Sequence, residues 1–333
     1  MAPDLEPVWQ IMTAFQLSHA FKAAVEIEFF TKISEGNKTV ATIAVATGSA
    51  EKGVRVLADV LTVAGLLSKS GREYSNTEVA SFFLDKNSPA YVASAVEFIM
   101  GPTQMRGFLD LTNAVRNGGT TVTGDGSVDP ESPMWVTFAR AMAPLMYPAA
   151  EAIAANVGLP MDKKIKVLDI AAGHGLFGVT VAKHYPNAEV YAVDWANVLT
   201  VATENAQKFG VADRHHLLPG SAFDVEFGDG YDVILNTNFL HHFDKPTCEG
   251  FMAKLAVSLA DDGKIMTLEF TPNDDRVSPP PQALFALIML AATPGGDAYT
   301  FAELREMCEK AGLTRNENIP LSPMPQNLIV SSK

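Results

Sequence analysis

The chain has 333 residues, 47% hydrophobic and 19% charged, with a formal net charge of −13. That composition suits a globular protein with room for two domains, and the acidic balance opposes nucleic acid or an anionic membrane as partner, since both need a basic face. Cys248 and Cys308 are too few and too isolated for a disulfide framework or metal cluster. The longest apolar run, residues 283–292, is about half the length of a membrane span, and MAPDLEPVWQ lacks the basic-then-apolar order of a secretion signal. The cytoplasm is the expected location.

Residues 8–33 set Ile11, Phe15, Leu17, Phe21, Val25 and Phe29 at helical spacing and read as one or two amphipathic helices. TVATIAVATG and AEKGVRVLADVLTVAGLL predict two more helical segments joined by Gly48 and Ser49, and LLSKSGREYSNT a small hairpin wing. Helix, helix, wing is the order of a winged helix, which invites a DNA-binding reading. Residues 1–100 hold 8 Lys+Arg against 11 Asp+Glu, and Lys52 and Arg55 are offset by Glu51 and Asp59. The module is therefore read as a dimerisation or substrate-lid element.

Residues 88–112 and 133–157 carry helical patterning on either side of the turn-rich RNGGTTVTGDGSVDPESP. In the second stretch, Trp135, Phe138, Met142, Met146 and Tyr147 form a soft aromatic stripe suited to a flat acceptor; plain helix packing accounts for the same spacing. From residue 164 strand and helix alternate. Strands are expected over 164–171, 188–194, 214–219, 231–238 and 264–270, and helices over 176–185, 196–209, 246–260, 281–292 and 300–311. Extended pieces near 314–321 and 327–331 bring the strand count to seven, an α/β fold with a parallel sheet and right-handed crossovers.

The segment KIKVLDIAAGHGLFG runs from an apolar strand into a glycine-punctuated turn and a helix, with Gly173, Gly175 and Gly178 fitting G-x-G-x-x-G. Asp194 ends the next strand, where a carboxylate suits ribose hydroxyls. Asp169, four residues before Gly173, would repel a dinucleotide pyrophosphate but accept hydrogen bonds from a methionyl ammonium, which favours S-adenosylmethionine over NAD. Ligands of an open α/β sheet gather at the carboxyl ends of its strands. Those ends here carry the glycine loop, Asp194 with Trp195 for an adenine face, GSAFD, NTNFLHHFD and LEFTPND.

His241 and Glu269 end strands four and five, so an imidazole and its orienting carboxylate would converge to take a proton from an acceptor hydroxyl. Asp244 reads equally as the cap of the helix starting near Lys245. His241, His242, Asp244 and Glu269 are also conceivable metal ligands. Consecutive side chains diverge in an extended chain, however, and His215 and His216 sit on another strand, so no metal is expected.

With these motifs in hand, the chain resembles the metal-independent small-molecule O-methyltransferases, the family of the plant caffeate and flavonoid enzymes, the acetylserotonin enzyme and bacterial antibiotic relatives. The similarity spans nearly the whole chain. The family's D-x-G-G-G-x-G appears as Asp169-Ile-Ala-Ala-Gly173-His-Gly175, with the ribose acid at Asp194, and the strand-four motif as Leu240-His241-His242-Phe243. The resemblance implies an all-helical winged-helix-like dimerisation domain over 1–100, a helical segment over 101–160 lining the acceptor pocket, and a Rossmann-like seven-stranded methyltransferase domain over 161–333. It implies a homodimer using S-adenosylmethionine, with a small aromatic acceptor. His241 falls at the general-base position and Glu269 at the carboxylate that orients it.

The donor set expected from motif and resemblance together is Asp169, Ala171, Gly173, Gly175, Asp194, Trp195, Ser221, Ala222, Phe223, Asn236 and Asn238. The acceptor set is Phe138, Met142, Met146, Tyr147, His242 and Met289. There are departures from the family pattern. Ala171 and Ala172 stand for glycines, Ser221 for an acid that reaches the adenine region, and His242 for the acid after the base. Asp297, one position from the family's second orienting acid, either substitutes for it catalytically or leaves it lost. These changes keep C-methylation of an activated ring or enol, or other S-adenosylmethionine chemistry, open as alternatives.

Overall fold

The computed structural model describes residues 3–122 and 131–333, so part of the turn-rich segment, 123–130, lies outside the described residues. The chain divides into two compact units, Met1–Met100 and Gly101–Lys333.

The first unit contains α1 (Glu6–Glu26), α2 (Phe29–Ser34), α3 (Val40–Thr47), α4 (Glu51–Val63), the hairpin β1 (Leu67–Ser70) and β2 (Glu73–Asn76), α5 (Glu78–Phe83) and α6 (Val96–Ile99). It is thus helical with one two-stranded wing rather than wholly helical. Glu28 in the left-handed region, φ 55°, separates α1 from α2, and Thr39 opens α3 through a reciprocal capping box with Thr42. Phe29, Phe30, Ile43, Leu61 and Tyr74 form its core. Tyr74 and Lys69 both reach Asp59, at 2.8 and 2.6 Å, which ties the hairpin to α4. Along α1, by contrast, Val8, Trp9, Ile11, Met12 and Phe15 are exposed.

The expected helix over 88–112 is broken. Gly101 is extended (ψ 160°), as the residue before a proline prefers, and a new helix α7 (Pro102–Leu109) starts there, followed by α8 (Leu111–Asn117). The 24-residue α9 (Pro133–Asn156) follows. After it come β3 (Ile165–Ile170), α10 (Leu176–His184), β4 (Ala188–Asp194), α11 (Ala196–Lys208), β5 (His215–Pro219), β6 (Tyr231–Thr237), α12 (Lys245–Ser258), β7 (Leu259–Glu269), α13 (Pro280–Ala292), α14 (Phe301–Lys310), β8 (Arg315–Pro320) and β9 (Asn327–Ser332). β7 begins five residues earlier than its apolar run suggests, because its first residues pair with β6 across a register irregularity between Tyr231 and Val233.

The sheet order is β5-β4-β3-β6-β7-β9-β8, with the first five strands parallel and β9 antiparallel to both neighbours. Strands covered on both faces need apolar residues at nearly every position, and β3 and β6 have them. Val167, Val233, Leu235 and Leu268 pack with α9 and α10 on one face, while Leu168, Ile170 and Ile234 pack with α12 and α14 on the other. β3 leads to β4 on one side and has β6 on the other. This is where strand order reverses and a crevice opens above the carboxyl ends.

Candidate active site

The loop after β3 turns through Ala171 (φ 48°), Gly173 and Gly175. A Cβ on Gly175 would lie 2.7 Å from Ala202 Cβ, and one on Gly178 would lie 2.6 Å from Val190 Cγ1 and 2.8 Å from Asp169 Oδ2. The missing side chains let α10 close onto the sheet and onto α11.

Asp169 sits beneath this loop. It is completely buried; Oδ2 accepts from Gly178 N at 3.0 Å and Oδ1 has no partner. Burial raises its carboxyl to about 8. Asp169 is not among the residues that line the cavity: Oδ2 braces the glycine loop, and Oδ1 is left unpaired beneath it. Asp194 does reach the crevice. Its Oδ2 accepts from Gly173 N at 2.8 Å and Oδ1 from Trp195 N at 2.7 Å, while burial raises it to about 6.

The crevice holds a cavity of about 280 Å³. Of the expected residues it gathers Ala171, Gly173, Asp194, Trp195, Ser221, Ala222, Phe223 and Asn238, with Phe138, Met146 and His242 from the acceptor set. Three lining groups carry buried polar atoms without a partner, Thr237 Oγ1 among them. Asn238, held at φ 52°, has an unpaired Oδ1, and His242, whose ring meets Trp135 edge-on at 5.5 Å, has an unpaired Nδ1. Burial holds the His242 imidazole well below its ordinary pKa, hence neutral.

Several expected residues lie elsewhere. Asn236 is sealed inside β6, its amide nitrogen directed at Thr267 Oγ1 and Met252 Sδ. Tyr147 stacks on Phe209 at 6.0 Å and takes a hydrogen bond from Lys183, while Met142 packs into the sheet core, so two of the five residues of the α9 stripe are ordinary packing. Met289 is buried within α13 and does not line the cavity. Gly175 acts through packing, as above. Asp297 is half-exposed and ion-paired with Arg276 at 3.3 Å, with its Oδ1 on Ala298 N. It does not join the His241–Glu269 pair.

That pair is tight. Glu269 Oε2 lies 2.5 Å from His241 Nδ1, and Oε1 accepts from Phe239 N at 3.1 Å and His241 N at 3.4 Å. Both side chains are buried, at 5% and 3% exposure. The Phe285 ring meets the imidazole edge-on at 4.8 Å, and Gly296 packs so close that a Cβ there would lie 2.1 Å from His241 O. Asp244 is committed to capping, its Oδ1 accepting from Thr247 N at 3.0 Å. Among the described residues no three His, Cys, Asp or Glu side chains gather as a metal site, and no helix is long and apolar enough to cross a membrane.

Sequence reasoning passed over His174, Phe239 and Phe243, which also line the cavity. His174 is 2% exposed with Nδ1 accepting from Leu176 N at 3.1 Å, and burial lowers it to about 4. A polar residue between two loop glycines was the available signal.

A glycine loop and a buried carboxylate at the reversal point of a seven-stranded sheet with one antiparallel strand, and a buried His–Glu pair at the ends of the next two strands, define a class I S-adenosylmethionine-dependent methyltransferase. An O-methyltransferase domain is matched over residues 136–314 and an O-methyltransferase dimerisation domain over residues 9–86. The chain belongs to this O-methyltransferase family, whose methyl donor is S-adenosylmethionine. It is 24% identical over 324 residues, 96% of this chain and 93% of the other, to 3-hydroxy-5-methyl-1-naphthoate 3-O-methyltransferase of Streptomyces sahachiroi. A crystal structure of a candidate O-methyltransferase from Nostoc punctiforme superposes with a TM-score of 0.95 at 45% identity, covering 100% of both chains. Human N-acetylserotonin methyltransferase, solved with S-adenosylmethionine, shares the fold with a TM-score of 0.86 at 20% identity, covering 100% of this chain and 99% of that one.

The residues present fit that donor. Asp194 spends one lone pair per oxygen on backbone N–H groups and keeps others for hydroxyls, and the orphaned Asn238 Oδ1 is an acceptor in the cavity wall.

Proposed function

We propose that the protein methylates a hydroxyl of a small, flat aromatic metabolite, with His241 as general base and Glu269 as its orienting carboxylate. The observation that carries this reading is the buried 2.5 Å contact between His241 Nδ1 and Glu269 Oε2. With the proton of the neutral ring on Nδ1, facing the carboxylate, the lone pair is left on Nε2 to receive a phenolic proton, and Glu269 steadies the imidazolium that results. S-adenosylmethionine, when bound, supplies a sulfonium methyl group open to in-line displacement.

The chain's own part is to position and desolvate. Asp194 takes the ribose hydroxyls, and the loop Ala171–Gly173 with Asn238 takes the amino-acid end. Trp195 and Phe223 face the base. Trp135, Phe138 and Met146 give the acceptor an apolar seat, with neutral His242 as a polar contact. Homodimerisation through residues 1–100 belongs to the same reading, supported by the matched dimerisation domain and the exposed apolar residues of α1.

The test incubates the protein with isotopically methyl-labelled S-adenosylmethionine and a pool of phenols, catechols and hydroxyindoles. Label is expected in a product, absent with His241→Ala, and removable by ether-cleaving reagents. Label that survives cleavage would instead establish carbon methylation.

A further inference from the structure

The cavity wall that follows β5 is held by a residue outside the cavity. In the turn Ser221–Val225, Ser221 O accepts from Asp224 N and Val225 N at 3.0 and 2.9 Å, and Ser221 Oγ accepts from Phe223 N at 3.2 Å. Gly220 N donates to the backbone carbonyl of Asp194 at 2.9 Å, which pins the start of the turn to the end of β4. Lys254, on α12, places its ammonium against the turn's outer side. Nζ donates to Ala222 O at 3.1 Å, Phe223 O at 2.8 Å and Val225 O at 2.8 Å, and lies 4.3 Å from the centre of the Phe227 ring. All three N–H bonds of the ammonium are used on one loop, and among the described residues no carboxylate pairs with it.

The inner side of the same turn is left ready for a ligand. Ser221 and Ala222 line the cavity, and their backbone N–H groups have no acceptor among the described residues. Phe223 presents a ring to the cavity from a cluster in which it meets Phe243 at 4.9 Å, Phe251 at 5.0 Å and Phe239 at 5.9 Å. A flat face beside free backbone donors suits a purine, which offers a π-surface and in-plane ring nitrogens.

We propose that Lys254 is a positioning residue for the adenine end of the methyl donor, clamping the Ser221–Val225 turn so that its N–H groups and the Phe223 ring are pre-set for the base. The inference rests on the donor arrangement given under Proposed function. Its effect belongs to donor affinity rather than to the methyl-transfer step, because Lys254 touches neither reacting atom.

Binding of S-adenosylhomocysteine and of 5′-methylthioadenosine, which keeps the adenosyl end and lacks the amino-acid end, tests this by calorimetry. Lys254→Met should weaken both ligands by a common factor of about ten, the size expected for losing charge-assisted hydrogen bonds, with kcat at saturating donor within about two-fold of the parent. Lys254→Gln, which keeps donors to the carbonyls, should recover part of the loss and serves if the methionine variant folds poorly. Lys245→Met, on the same helix but paired with Glu306, is the charge-loss control and should bind as the parent does. Unchanged affinities in both Lys254 variants, or a loss for S-adenosylhomocysteine without one for methylthioadenosine, overturns the clamp. A parent protein that binds neither ligand overturns the donor reading itself.

Discussion

At the scale of single residues, the role proposed for the buried His241–Glu269 pair separates proton removal from donor binding. His241→Ala is expected to lower kcat by about 10²–10⁴-fold while S-adenosylhomocysteine affinity stays within two-fold, because in the proposed reaction the imidazole serves the acceptor's proton; parallel calorimetry and turnover check both halves. Glu269→Gln should lose rate, since its single amide oxygen can accept either from the N–H groups of Phe239 and His241 or from Nδ1–H, and the NH2 group then opposes whichever donor is left. Asp194 predicts a pH dependence of a different kind. Its carboxyl is raised to about 6 by burial, and only the ionised form offers all its acceptors to hydroxyls. S-adenosylhomocysteine should bind more tightly as pH rises through about 6 and then level off, and Asp194→Asn should bind weakly with that slope removed; titrations between pH 5 and 8 decide it. Asp169 shows why motif reading has a limit at this scale. The sequence places a carboxylate four residues before the first loop glycine, but only the fold reveals that one of its oxygens braces the loop at Gly178 N.

At the scale of elements, the parallel strands were legible because strands covered on both faces must be apolar at nearly every position, and the helices between them because one face is. The stretch 88–112 misled, since its apolar spacing is helical while Gly101-Pro102 forces an extended residue into the middle. α5 was passed over because it is only six residues long, opened by Thr77 accepting from Ala80 N. Asp297 illustrates a further difficulty: a neighbour in sequence of a functional position need not share its direction, and this side chain turns toward Arg276. The packing of α10 is correspondingly unforgiving. Gly175→Ala should destabilise the protein by about 1–3 kcal/mol from left-handed backbone strain, with the 2.7 Å approach to Ala202 adding to that, as read from urea unfolding. On α1, the double change Ile11→Glu and Phe15→Glu removes two exposed apolar side chains without touching the core of its unit. A shift from dimer to monomer in sedimentation would support association through this helix, and an unchanged dimer would refute it.

At the scale of the whole molecule, five buried groups set opposite limits on stability. Asp169 and Asp194 are raised to about 8 and about 6, so the folded chain keeps protons that the unfolded chain releases, and their contribution falls as pH rises from about 4 toward 8. His174 and His215 are lowered to about 4 and His242 further still, so the unfolded chain takes up protons that the folded chain refuses, and stability falls as pH drops below about 6.5. Stability should therefore peak near pH 6.5, with lower urea midpoints at pH 5 and 8.5, and Asp169→Asn should flatten the alkaline side. The order of the sheet has a consequence for how the protein is made. β7 carries Glu269 on a strand whose far edge is covered by β9, and β9 is the last of the seven to leave the ribosome. Until residues 327–332 have been translated, the nascent chain displays a buried-type apolar strand with an open edge, the kind of surface on which half-made chains aggregate. Pausing during synthesis between β8 and β9 would prolong that exposure, and chaperone demand should be greatest there.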